Sequence, residues 1–151
     1  MENLFDKKNR EDILERLSKI KNNTEPKWGK MNSHQMIVHL SEPLRVALGD
    51  ITVPLIESEY SNPPFNIQVS QTLPWPNNAP TIPEFDQFEK RMEIKDFDSD
   101  LNTLLELIDR FSKLEDGDPI PTHPLFGYLT NEEWARTLWR HIDHHLNQFG
   151  L

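Results

Sequence analysis

Residues 50 to 83 contain seven prolines, Pro54, Pro63, Pro64, Pro74, Pro76, Pro80 and Pro83. Each lacks a backbone N–H and has a fixed φ, so this density is incompatible with a central strand or a stable helix. A connection of this length inside a domain is usually functional or disordered. Here Ile51, Leu55, Ile56, Tyr60, Phe65, Ile67, Val69 and Trp75 interleave with the prolines. That apolar content predicts a crossover that packs over the fold. The elements on either side of it must therefore build the core.

Those elements read as four amphipathic helices. Asn9 to Lys21 places Ile13, Leu14, Leu17 and Ile20 at helical spacing, with Asn9 as cap. The second helix starts after Asn32, with Gln35 placed to complete a capping box, and runs to about Leu48 before Gly49. Pro43 lies inside it and removes the donor that would bond the His39 carbonyl. A third helix spans about Asp98 to Leu114, with Leu101, Leu104, Leu105, Ile108 and Phe111 on one face. The last opens at Thr130, with Glu133 completing another capping box. The segment FDQFEKRMEIKDF (85–97) fits helix or strand, and EFDQFEKRMEIKDFDSD (84–100) reads as a solvated, charged face. Four helices and one long crossover predict an all-α chain, a four-helix bundle forming a single domain over residues 1–151.

Composition narrows the chemistry. Sixteen Lys and Arg against 25 Asp and Glu give a formal charge of −9, which argues against a nucleic-acid or anionic-membrane partner. The absence of cysteine excludes a disulfide, a thiolate nucleophile and any Cys-ligated metal within the chain. MENLFDKKNRED has no apolar signal-peptide core and no segment is long and apolar enough to cross a bilayer, so a cytoplasmic domain is expected. Any metal must be held by His, Asp or Glu.

RHIDHHLNQFGL (140–151) holds three of the six histidines. On a helical projection, Trp134, Ala135, Leu138, Trp139, Ile142, Leu146 and Phe149 share an apolar arc about 140° wide. His145 falls inside that arc and His141 about 20° beyond its edge. Four residues apart, their side chains stack about 6 Å apart from Cβ to Cβ, a spacing that suits two imidazoles converging on one ion. His144 flanks them. The plain alternative is two histidines that hydrogen-bond to each other and to their neighbours. The pattern is not the zincin HExxH, because Ile142 replaces its general-base glutamate. Nor does any helix supply the Glu-x-x-His pairs of a di-iron bundle. A third ligand can come from the second helix, where His39 and His34 sit on opposite flanks of the apolar arc; the Pro43 effect favours His39. Glu42, one turn after His39, and His144 are candidate acid/base groups, or else a solvated carboxylate and a surface imidazole. His123, in THPLFGYL, reads as a local hydrogen-bonding residue, and Trp75 either caps a site or simply packs.

Three segments, WGKMNSHQMIVHL (28–40), HPLFGYLTNEEW (123–134) and RHIDHHLNQFG (140–150), resemble the DinB/YfiT-like metalloenzymes, in particular a branch of unknown function ending in a histidine-rich helix and Gln-Phe-Gly. The resemblance implies a four-helix bundle with a long crossover. It also implies a divalent metal, zinc or nickel, on one histidine of the second helix and an HxxxH pair of the last: His39, His141 and His145. The implied function is a metal-dependent enzyme acting on a small molecule, as a thiol-dependent transferase or isomerase using a low-molecular-weight thiol, or as a hydrolase. In much of that superfamily the last histidine opens His-Arg-Gly-Gln, whereas here it opens His145-Leu-Asn-Gln148. The missing arginine removes a cation that would pair with a thiol or carboxylate substrate. The alternative function is a non-catalytic metal- or ligand-binding bundle, with a homodimer as one form.

Overall fold

Each long helix begins on a side-chain cap. In the computed structural model, which describes residues 1–88, 95–115 and 117–151, α1 (Lys7–Leu17) is capped by Asp6, whose carboxylate accepts from the Asn9 amide. α2 (Ser33–Ala47) carries the predicted Asn32–Gln35 capping box. A short α3 (Phe65–Ile67) continues into a π-helical turn over Gln68–Thr72. α4 (Phe97–Ser112) is capped by Asp96, and α5 (Asn131–Gln148) by the Thr130–Glu133 box. Among the described residues the chain is all-helical with five α-helices and no strand; the one β-type pairing is an isolated bridge between His123 and Gly127.

Several sequence expectations shift in detail. The first helix starts earlier than Asn9 and stops at Leu17, because Asp6 wins the cap over Asn9, yet Ile20 beyond its end is still buried. α2 runs unbroken through Pro43. The crossover does contain helix, over residues 65–72. That run lies between Pro64 and Pro74, where no proline interrupts the hydrogen bonds. Residues 89–94, the middle of the segment left open between helix and strand, lie outside the described residues. The solvated-face reading fails at the segment's start, where Pro83–Phe85 forms a 3-10 turn and Phe85 and Gln87 are buried.

Met36, Leu40 and Leu44 of α2, Leu104, Ile108 and Phe111 of α4, Trp134, Leu138 and Ile142 of α5, and Ile13 and Leu17 of α1 form one core. α2 packs on α4, on α5 and on the Pro83–Phe85 turn, so 12 of its 15 residues are buried. Burial on every side makes it the central element and takes the polar His39, Ser41 and Glu42 out of water with it.

The crossover packs on the core through Ile51, Ile67, Val69 and Trp75, and polar contacts hold it down as well. Leu55, Ile56, Tyr60, Phe65 and Leu73 remain exposed. Buried Gln71 instead donates to Thr137 Oγ1 at 2.7 Å and to the Glu133 carbonyl at 3.1 Å. Asn66 donates to the Phe126 carbonyl. Arg140 of α5 donates to the carbonyls of Val69, Ser70 and Leu73, and its guanidinium lies 4.9 Å from the centre of the Trp75 ring. These bonds satisfy the carbonyls of the helical run and fix Trp75 over the middle of α5.

Candidate metal centre

α2 and α5 bring His39, His141 and His145 together. The ring centroids form a near-equilateral triangle, 4.8 Å between His39 and His141, 4.9 Å between His39 and His145, and 4.8 Å between His141 and His145. One nitrogen from each lies within 4.8 Å of the others, so the group can hold a metal ion. His39 and His145 are buried and His141 is half-buried.

The partners of these rings fix their protons. His39 Nδ1 lies 2.9 Å from the Phe85 carbonyl, which can only accept, so Nδ1 carries the proton and Nε2 a lone pair. Gln148 donates through Nε2 to the Trp28 carbonyl at 2.7 Å, which orients its amide oxygen toward His145 Nδ1 at 2.7 Å. His145 Nδ1 is therefore the donor, and its Nε2 is also a lone pair. Two of the three histidines thus stand in the tautomer a metal ligand requires, each oriented by an oxygen behind it. His39 Nε2 and His141 Nε2 are 2.9 Å apart, so in this arrangement His141 holds the shared proton. For His141 to act as a ligand through Nε2, that proton must move to Nδ1. The donor set, three imidazoles with no cysteine or carboxylate, suits a divalent transition-metal ion.

Burial is the main cause of every histidine shift here. It lowers the pKa of His39, against the opposing effects of the Phe85 hydrogen bond and the Asp86 charge. It takes His141 well below its ordinary range, with His145 and His39 adding repulsion. It pushes His145 down to about 3, with His39 adding repulsion and the Gln148 hydrogen bond opposing. All three are neutral near pH 7, the form that binds a cation.

The other sequence candidates separate from this triangle. His34 bonds Asp100 at 2.7 Å and stacks edge-on to Phe97, serving the α2–α4 contact. His144 is half-buried beside the triangle, its ring centroid 5.2 Å from that of His145 and 6.0 Å from that of Trp75. Trp75 also lies 6.2 Å from His141, so it packs directly against the site. Glu42 is not a solvated carboxylate: it is 1% exposed. Its Oε1 accepts from Gln87 Nε2 at 2.9 Å, and its Oε2 has no partner among the described residues and lies 3.9 Å from His39 Nδ1. Desolvation raises its pKa to about 8, with the Gln87 bond and Arg45 opposing. His123 makes the expected local bonds, accepting at Nδ1 from the amides of Leu125 and Phe126, and burial pushes its pKa down to about 3. It also lines the same cavity as the three histidines, a placement its sequence context did not reveal.

That cavity, about 810 Å³, has His39, His141, His144 and His145 on its wall, with Trp28, Trp75, Phe85 and Leu138 among its apolar lining. Its volume falls in the range of small-molecule sites. The Phe85 carbonyl and Gln87, which support His39 and Glu42, were not found from the sequence. The turn that carries them comes from a segment that composition alone reads as surface. Gln148 had a sequence signal, its three-residue spacing from His145 on one helix face.

Residues 78–150, just under half of the chain, match the model of a family described as a protein of unknown function (DUF1569). The match includes His123, His141 and His145 and supports a relationship of this part to an uncharacterised domain family. No curated protein and no solved structure matches the chain. Among the described residues, no helix is long and apolar enough to cross a membrane.

Proposed function

We propose that the chain is a divalent-metal-dependent enzyme acting on a small molecule, built as a four-helix bundle of the DinB/YfiT-like type, with His39, His141 and His145 as ligands. One observation carries the reading: three neutral imidazoles from two helices converge within 4.8 Å on the wall of a cavity large enough for a substrate. A structural ion is normally enclosed by four protein ligands, whereas three histidines facing a cavity leave room for substrate. Bound there, zinc or nickel supplies Lewis acidity, which polarises a carbonyl or ionises water or a thiol. The sequence resemblance points to a thiol-dependent transferase or isomerase, or to a hydrolase.

The chain's own residues have definite parts in this reading. The Phe85 carbonyl and Gln148 hold two rings with their lone pairs toward the site. Trp75 and Trp28 form an apolar part of the cavity wall, and Arg140 holds the crossover against α5. Titration of untagged, metal-stripped protein with zinc and with nickel tests the reading. One ion per chain should bind in the wild type, and His39→Ala, His141→Ala or His145→Ala should each abolish tight binding. Equal binding by wild type and all three variants contradicts it. A non-catalytic metal-binding bundle would instead show the bound ion unreachable by small exogenous ligands such as imidazole or cyanide.

A further inference from the structure

Among the described residues, the buried side chains that line the cavity have nearly all engaged their donors with the protein. Gln87 Nε2 donates to Glu42, Gln148 Nε2 to the Trp28 carbonyl, and Thr137 Oγ1 to the Glu133 carbonyl. His39 and His145 use Nδ1–H on Phe85 and Gln148. His123 differs. Two backbone amides, of Leu125 and Phe126, donate to its Nδ1, both at 3.1 Å. A nitrogen that accepts from two N–H groups cannot carry a proton, so the neutral ring must hold its proton on Nε2. No hydrogen-bond partner for Nε2 is found among the described residues, although the residue is only 6% exposed and lines the cavity.

The turn that holds this ring is built tightly. His123 and Gly127 exchange two backbone hydrogen bonds, at 2.9 and 3.0 Å. Gly127 has φ +70°, and a Cβ there would run into the Ser61 carbonyl, so both backbone conformation and space require glycine. The ring packs between Phe126 and Trp134, with centroids 4.6 and 4.5 Å away. Nε2 is not sealed from solvent as the rest of the ring is, so its donor is open to a ligand oxygen in the cavity. The rest of the wall restricts what can satisfy it. Apart from the histidines, only Lys30 and Asp86 bring charge to the cavity among the described residues, one of each sign, and most of the lining is apolar.

We infer that His123 is a substrate-binding donor: its Nε2–H binds a neutral acceptor oxygen (ketone, ester or amide) of an otherwise apolar small molecule seated in the cavity beside the three histidines. This rests on the reading of that cavity as the substrate site. It narrows the substrate away from multiply charged thiols, for which the wall supplies no matching cluster of cations. His123 acts on the ligand directly and has no part in holding the metal.

The test uses full-length protein kept metal-free with chelator, so that it does not depend on metal binding. The probes are 2-acetylnaphthalene and 2-ethylnaphthalene, matched in shape and differing in the carbonyl oxygen, titrated by backbone ¹H–¹⁵N spectra. The ketone should bind about 3- to 10-fold more tightly than the hydrocarbon, the value of one net hydrogen bond. His123→Asn keeps an acceptor for the Leu125 and Phe126 amides and removes the Nε2 donor. It should bring the ketone down to the hydrocarbon's affinity and leave the hydrocarbon unchanged. Equal binding of the two probes by the wild type, an equal loss of both in the variant, or no binding of either probe would overturn the proposal. A long-range imidazole ¹H–¹⁵N spectrum of the wild type gives a second check independent of how the variant folds. His123 should be the Nε2-protonated tautomer, and an Nδ1-protonated ring would overturn the assignment. If zinc and nickel titrations fail while these results hold, the metal reading falls and the His123 assignment stands.

Discussion

Replacing Glu42 with glutamine should stabilise the metal-free protein, and by an amount that depends on pH. Glu42 is fully buried in α2, with one oxygen bonded to Gln87 and the other without a hydrogen-bond partner among the described residues. Burial lifts its pKa from 4.5 to about 8. The folded state therefore binds a proton that the unfolded state releases, so stability is fully present below pH 4.5 and lost as pH rises toward 8. At about 1.4 kcal/mol per pH unit, the wild type has lost about 3 kcal/mol by pH 7 and about 1 kcal/mol by pH 5. Glutamine keeps an oxygen to accept from Gln87, has nearly the same shape and needs no proton. Urea unfolding of wild type and Glu42→Gln in chelator should show the variant more stable by about 3 kcal/mol at pH 7, shrinking to about 1 kcal/mol at pH 5. Chelation matters because a cation beside His39 would favour the ionised carboxylate. No gain at pH 7, or a gain that does not change with pH, would refute the account of Glu42 as a buried, largely neutral acid.

The histidines give the opposite slope. Because His123 and His145 have folded pKa values near 3, their contribution is present above pH 6.5 and is lost as pH falls toward 3, so metal-free protein should melt at progressively lower temperature on acidification below pH 6.5. Zinc binding to the Glu42→Gln variant at pH 7, where no carboxyl proton adds to the signal, should release close to no protons, measured calorimetrically in buffers of different ionisation enthalpy; release of about 0.7 proton per ion would show three ordinary histidines. Gln148→Leu should weaken zinc binding about 10- to 100-fold, since it removes the oxygen that orients His145. Arg140→Met should destabilise the protein by about 1–3 kcal/mol and open residues 69–80 to limited proteolysis, because three backbone carbonyls lose their partner.

Much of α5 was legible because its signals are local. The Thr130–Glu133 box fixes its start, the apolar arc fixes its buried face, and four-residue spacing pairs His141 with His145. His39 was legible as a flank residue of α2, with His34 left as its competitor until the structure gave His34 to Asp100. Glu42 was not legible. Its burial depends on the Pro83–Phe85 turn, which folds onto α2 from more than forty residues away and brings Phe85 and Gln87 with it. Helical periodicity describes one face of a helix at a time and cannot reveal a helix covered on all sides. The eight-residue helical run at 65–72 was hidden by the prolines that flank it, and it is held by Asn66 and Gln71, polar residues that look like loop.

The central claim is that His39, His141 and His145 bind one divalent ion. Elemental analysis of untagged protein, combined with anomalous diffraction at the zinc and nickel edges, tests it most directly. The account predicts close to one metal per chain, an anomalous peak within bonding distance of one nitrogen from each of the three rings, and loss of both signals in His141→Ala. Equal metal content in wild type and His141→Ala, or a peak away from those nitrogens, would contradict it.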